Sequence, residues 1–124
     1  MSRPRILVVD DEQHIISLLS MTLRKEGYEI VSANTGQKAL QLLGLFEFKL
    51  VILDHSMPGM DGLELSNQID AEIPVMMITS RPQILKEHVH RIQDVMHKPF
   101  SPREVVTKVQ AIVGPGQETK EQSA

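Results

Sequence analysis

Five short apolar runs, Ile6–Val9, Glu29–Ala33, Leu50–Leu53, Val75–Ile78 and Val95–His97, alternate along the chain with stretches of helical spacing. Few folds accept that alternation. The third and fourth runs are apolar throughout, as strands covered on both faces require, and Pro74 precedes the fourth at a place where a missing N–H is tolerated. Between the runs, Ile15, Ile16, Leu19 and Leu23 form one helical seam, and Ala39, Leu40 and Leu43 form a second. Leu63 with Ile69 suggests a third. The last helix has the fullest signature: Ser101, Pro102 and Glu104 match an N-cap, a first-turn proline and a capping box. Val105, Val106, Val109, Ile112 and Val113 then give its apolar face, and Gly114-Pro115 stops it. Asp61 with Glu64 repeats the capping pattern. Pro82–Ile92 carries the weakest pattern, with Leu85, Val89 and Ile92 at helical spacing among many charges.

Strands alternating with helices predict a three-layer α/β domain, built on a parallel sheet with right-handed crossovers. The 124 residues suffice for one domain with a real core. We expect that domain over residues 1–113 and a flexible polar tail or the start of a linker over 114–124, GPGQETKEQSA. In such sheets ligands bind beyond the carboxyl ends of the strands. Those ends carry Asp10-Asp11, Asp54, Thr79-Ser80 and His97-Lys98-Pro99, so polar groups converge on one edge.

Composition narrows the chemistry. Thirteen Lys plus Arg against 16 Asp plus Glu leave a net charge of -3, without the basic excess of a domain that grips phosphate backbones. Direct nucleic-acid binding is not expected. The absence of cysteine removes disulfides and thiolate metal sites. The start, MSRPRILVVDD, has neither the pattern of a signal peptide nor that of a membrane span, so a cytoplasmic protein is expected. Clustered carboxylates repel one another unless a cation or a proton compensates. Oxygen-only ligands favour Mg²⁺, which binds one or two carboxylates plus a phosphate oxygen. Phosphoryl chemistry follows: Asp54 as nucleophile, Lys98 and the Thr79 hydroxyl on phosphoryl oxygens, and a phospho-aspartate as product.

LVVDDE at 7–12, VILDHSMPGMDG at 51–62, MITS at 77–80 and HKPF at 97–100 resemble the receiver domains of two-component response regulators. The resemblance covers residues 4–113. It implies a flavodoxin-like fold, strand order 2-1-3-4-5, with Asp54 as phosphoacceptor and Thr79 as the hydroxyl that moves toward the phosphoryl group. It further implies Mg²⁺ held by Asp11 directly, by Asp54 and by the Ser56 main-chain carbonyl, with Asp10 acting through water or Lys98. The Lys98–Pro99 bond is implied to be cis. The implied partners are a sensor histidine kinase or phosphotransfer protein and a downstream protein or output domain, with room for a phosphorylation-dependent homodimer. Such a domain catalyses only its own phosphorylation and dephosphorylation. Its partner face would be the Pro82–Ile92 helix with the last strand and helix.

Three departures stand out against that resemblance. Val95 occupies the place of a usual aromatic residue three positions before the lysine. The stretches from Asp54 to Thr79 and from Thr79 to Lys98 span 25 and 19 positions, a few shorter than is common, so a short or reoriented fourth helix is expected. Ser56 and Arg81 stand two residues after Asp54 and Thr79, and an unusual dephosphorylation rate is expected from them.

Blander readings exist for single residues. A strand-end aspartate is most often a turn residue or cap, and Asp61 is assigned to that role. Thr79 and Ser80 could begin a helix, and Lys98 could be a solvated charge. His88 and His90, two apart, face different sides of a helix, while His14, His55 and His97 fall beside the site or on the surface. The methionines suit core and loop packing. A haloacid-dehalogenase-type phosphatase is disfavoured by Ser56 where a second aspartate belongs, and a flavodoxin-like electron carrier by one Tyr, three Phe and no Trp. The remaining alternative is a receiver-like docking module that works without phosphorylation.

Overall fold

The computed structural model describes residues 3–83 and 91–116. Within them the chain runs β1 (Arg5–Val9), α1 (Gln13–Lys25), β2 (Glu29–Ala33), α2 (Gly36–Leu45), β3 (Leu50–Asp54), α3 (Gly62–Ser66), β4 (Val75–Thr79), β5 (Asp94–His97) and α4 (Pro102–Val113). The strands pair in parallel in the order β2-β1-β3-β4-β5, the flavodoxin-like arrangement.

The two-residue period of the strands explains the layers. Ile6, Val8, Leu50, Ile52, Met76, Ile78 and Met96 point to one face and meet Ile16, Leu19 and Leu23 of α1 and Val105 and Val109 of α4. Leu7, Val9, Val51, Leu53, Val75 and Met77 point to the other and meet Ala39 of α2 and Leu65 of α3. Every residue of β3 and β4 is buried. Both strands extend one residue beyond their apolar runs, to Asp54 and Thr79, because the ladder still pairs Asp54 with Ile78 and Thr79 with His97.

Caps set the helix starts. Asp61 and Ser101 accept from the amides of Glu64 and Glu104 at 2.8 and 3.1 Å, as the two capping boxes and Pro102 lead one to expect, and Thr35 adds a third cap by accepting from the Lys38 amide at 3.1 Å. Gly62 has a second role. A Cβ there would stand 2.5 Å from the Asp54 carbonyl oxygen, so only glycine lets α3 start against the end of β3.

The third helix departs from expectation. It ends at Ser66, and Ile69 reaches the core from the turns beyond. A short helix leaves its last carbonyls without intrahelical partners. Arg91 supplies donors: Nε to Ser66 (3.0 Å), Nη2 to Ile69 and Asp70 (3.3 and 3.4 Å) and Nη1 to Ile73 (3.4 Å). One guanidinium thus serves four carbonyls at and beyond the end of α3. Most of the helix expected over Pro82–Ile92 lies outside the described residues, as do residues 117–124 of the expected tail. Residues 114–116 dock. The fully buried Tyr28 donates its hydroxyl to the Gly114 carbonyl, which satisfies a polar tip that the core cannot. A Cβ on Gly116 would stand 2.1 Å from the Glu26 carbonyl oxygen.

Arg91→Ala is expected to lower the unfolding free energy by about 2 kcal/mol in urea titration, the scale for hydrogen bonds to a charged group. Arg91→Lys should restore less than half, because an ammonium cannot reproduce the planar fork.

Candidate functional site

Parallel register brings the carboxyl ends of β1, β3, β4 and β5 level, and the buried polar residues Asp10, Asp54 and Thr79 lie there, 1%, 3% and 3% exposed. The Asp10 amide donates to the Ala33 carbonyl at 3.2 Å, and its Oδ1 accepts from the Glu12 amide at 2.9 Å. That Asx turn opens α1. Among the described residues, Oδ2 of Asp10 is the one buried side-chain polar atom without a hydrogen-bond partner.

Asp10, Glu12 and Asp54 each place a carboxylate oxygen within 4.8 Å of the others. Lys98 faces them, with Nζ 3.2 Å from Asp54 Oδ1 and 3.6 Å from Glu12 Oε1. The cis Lys98–Pro99 bond is present as expected, and the Lys98 amide donates to the Thr79 carbonyl at 2.8 Å. The Thr79 hydroxyl accepts from the Arg81 amide at 3.0 Å and lies 3.3 Å from His55 Nδ1.

Asp11 stands outside the carboxylate group with its side chain exposed, although its charge acts on Asp54. Ser56 is exposed, and its amide donates to the Asp54 carboxylate. His14 is on the surface, 3.5 Å from Glu12, and His97 is exposed. Val95 packs, half-buried, against the α2 and α3 side of the core. Sequence reasoning passed over Glu12, although it sits inside the LVVDDE motif, and placed His55 only as a neighbour of the site.

Burial governs the titration. It raises Asp10 to about 6, with the Asp54 charge adding and the Glu12 amide and Lys98 opposing. Burial also raises Asp54, against the Lys98 ammonium and the Ser56 amide. For Lys98 burial favours the neutral amine, but Asp54, Asp10 and Glu12 together outweigh it and hold the ammonium above its ordinary range. One cation faces three carboxylates, and one carboxylate oxygen has no partner. That donor set, all oxygen and short of positive charge, fits a hard metal ion.

A profile of the response regulator receiver domain matches residues 6–110. The chain therefore belongs to the response regulator receiver domain family, a class of signalling domains in two-component systems. It is 36% identical over 115 residues to the alkaline phosphatase synthesis transcriptional regulatory protein PhoP of Bacillus subtilis, covering 88% of this chain and 48% of PhoP. The transcriptional regulatory protein ResD of the same organism is 40% identical over 118 residues, with the same shares covered. The chain spans about half the length of these curated relatives. The structure of TrrA from Thermotoga maritima, a response regulator in complex with Mg²⁺ and BeF, superimposes with a TM-score of 0.77 at 34% identity, covering 88% of this chain and 98% of TrrA. No helix among the described residues is long and apolar enough to cross a membrane.

The sign of the Asp10 shift makes a test. A carboxyl whose folded value, about 6, exceeds its ordinary 3.8 binds more protons folded than unfolded between those limits. Its contribution to stability therefore falls as pH rises through that window. The full effect is of order 3 kcal/mol. Asp10→Asn should raise the stability of the protein in chelator at pH 7.5 and flatten this part of the pH dependence, as read by urea unfolding at pH 5 and 7.5. An Asp10→Asn protein no more stable than wild type at pH 7.5 would refute the account.

Proposed function

We propose that Asp54 is the phosphoacceptor of a response regulator receiver. The observation that carries this reading is the buried Asp54 carboxylate at the end of β3, paired with Lys98 at 3.2 Å beside the unpartnered oxygen of Asp10. An Asp54 oxygen attacks the phosphorus of a phosphohistidine on a sensor kinase or phosphotransfer protein. The P–O bond forms as the P–N bond breaks, and the imidazole leaves with the electron pair and takes a proton. Lys98 opposes the upward shift that burial imposes on the nucleophile and then contacts a phosphoryl oxygen; the Thr79 hydroxyl contacts another. Mg²⁺, when bound, would offset the charge of the transferring group. Asp54, Asp11 directly, the Ser56 carbonyl and Asp10 through water would hold it. Water attack on the same phosphorus returns the carboxylate, at a rate tuned by Ser56 and Arg81.

The domain, residues 1–113, works in the cytoplasm and passes its state to a downstream protein or output domain, or to a second copy, without touching nucleic acid itself. Residues 114–124 serve as a tail or the start of a linker. The TrrA complex with Mg²⁺ and BeF supports the choice of metal by kinship.

Incubation with acetyl phosphate followed by intact mass at acidic quench should give a single phosphate adduct that needs Mg²⁺ and is lost in Asp54→Asn. Beryllofluoride titration followed by NMR covers an adduct too short-lived to weigh. Silence in both would favour a docking module that acts without phosphorylation. The ligand set has its own test. Asp11→Ala should weaken Mg²⁺ binding at least tenfold in titration, and Glu12→Gln should change it less than threefold. The reverse order would transfer the ligand role to Glu12, whose carboxylate lies in the cluster.

A further inference from the structure

His55 follows the phosphoacceptor directly, and its backbone is held on both sides. The His55 amide donates to the Ile78 carbonyl at 2.9 Å, and its carbonyl accepts from the Gly62 amide at 2.9 Å. These bonds tie the residue to β4 and to the start of α3, so the ring leaves a rigid backbone. Its Nδ1 stands 3.3 Å from Thr79 Oγ1.

The hydroxyl on the other side is equally constrained. Thr79 is 3% exposed, and its Oγ1 already accepts from the Arg81 amide. A threonine hydroxyl has a single proton to donate. With the ring proton on Nε2, Nδ1 accepts the hydrogen bond that this O–H donates, leaving the hydroxyl with nothing to offer a phosphoryl oxygen on Asp54. In that tautomer the hydroxyl must give up His55 before it can contact the phosphoryl group.

We propose that His55 is a positioning residue of the switch, whose imidazole holds the Thr79 hydroxyl in the unphosphorylated state and biases the domain toward it. The inference rests on Asp54 being the phosphoacceptor with Thr79 turning toward it. Its physical content is one hydrogen bond present in one state and absent in the other, so it shifts the balance only by that difference.

Beryllofluoride with Mg²⁺, a mimic of the phosphoryl group on Asp54, provides the probe. His55→Phe keeps a ring without the acceptor and should bind it about fivefold more tightly than wild type, the worth of a net hydrogen bond of about 1 kcal/mol. His55→Asn puts a polar atom near the place of Nδ1 and should restore the wild-type affinity. In a Thr79→Val background the His55→Phe change should have no effect. Equal affinities for wild type and His55→Phe, or the same gain with Thr79→Val, would overturn the inference while leaving the phosphoacceptor reading intact. Failure of wild type to bind the mimic in a Mg²⁺- and Asp54-dependent way would overturn both. Should His55→Phe not fold, the wild-type imidazole ¹⁵N resonances decide. The His55 Nδ1 signal should move on adding the mimic, and it should already be displaced in free Thr79→Val; a signal unmoved by either change overturns the inference.

Discussion

A parallel sheet covered on both faces leaves its carboxyl edge as the place where charge can gather, and the rest of this molecule is arranged around that constraint. The side chains of β1, β3 and β4 go alternately into the two apolar layers. Asp10, Asp54 and Thr79 come where the strands give out, close enough to the core to be buried and close enough to the edge to meet Lys98. Burial then does most of the electrostatic work by pushing both aspartates upward against a single facing ammonium. The register of the ladder, the missing Cβ of Gly62 and the turn at Lys98–Pro99 are the means of bringing these groups level.

The same constraint explains what could be read from the sequence. A strand has a fixed two-residue period, so an apolar run ending in aspartate already tells where the carboxylate must emerge. Asp54, Thr79 and Lys98 were legible for that reason, and so were the capped helices that begin after Asp61 and Ser101. Residues past the strand end have no such period. Asp10 Oδ1 captures the Glu12 amide, and in the resulting arrangement Asp11 is exposed while the Glu12 carboxylate joins Asp10 and Asp54. Nothing in DDE ranks those two acids. His55 was hidden likewise, since its backbone is held by main-chain bonds to Ile78 and Gly62 and its ring meets Thr79, none of them its neighbour in sequence.

The early end of α3 was illegible for a different reason. Leu63 and Ile69 suggest a longer helix, yet the carbonyls of Ser66, Ile69, Asp70 and Ile73 are served by Arg91. A partner so distant in sequence leaves no local mark on the segment it caps. Gly114–Gly116 read as tail because glycine and proline promise no structure, but Tyr28 needs an acceptor for its hydroxyl and finds one there.

A site of this kind is in tension with stability. Burial penalises the charged form of Asp10 and raises it to about 6, and Asp54 is raised in the same sense. Their cost to the metal-free fold is also what makes the edge receptive, because whatever supplies positive charge gains the repulsion it relieves. The surroundings are correspondingly stiff. Lys98 and Thr79 share a main-chain hydrogen bond, which fixes their backbones at that edge of the sheet and leaves the response to a new charge on Asp54 to their side chains. Val95 packs into the core on the same strand without a polar atom of its own to contribute. The Thr79 hydroxyl is instead placed by two polar contacts, with the Arg81 amide and with His55, the residue next to Asp54 itself.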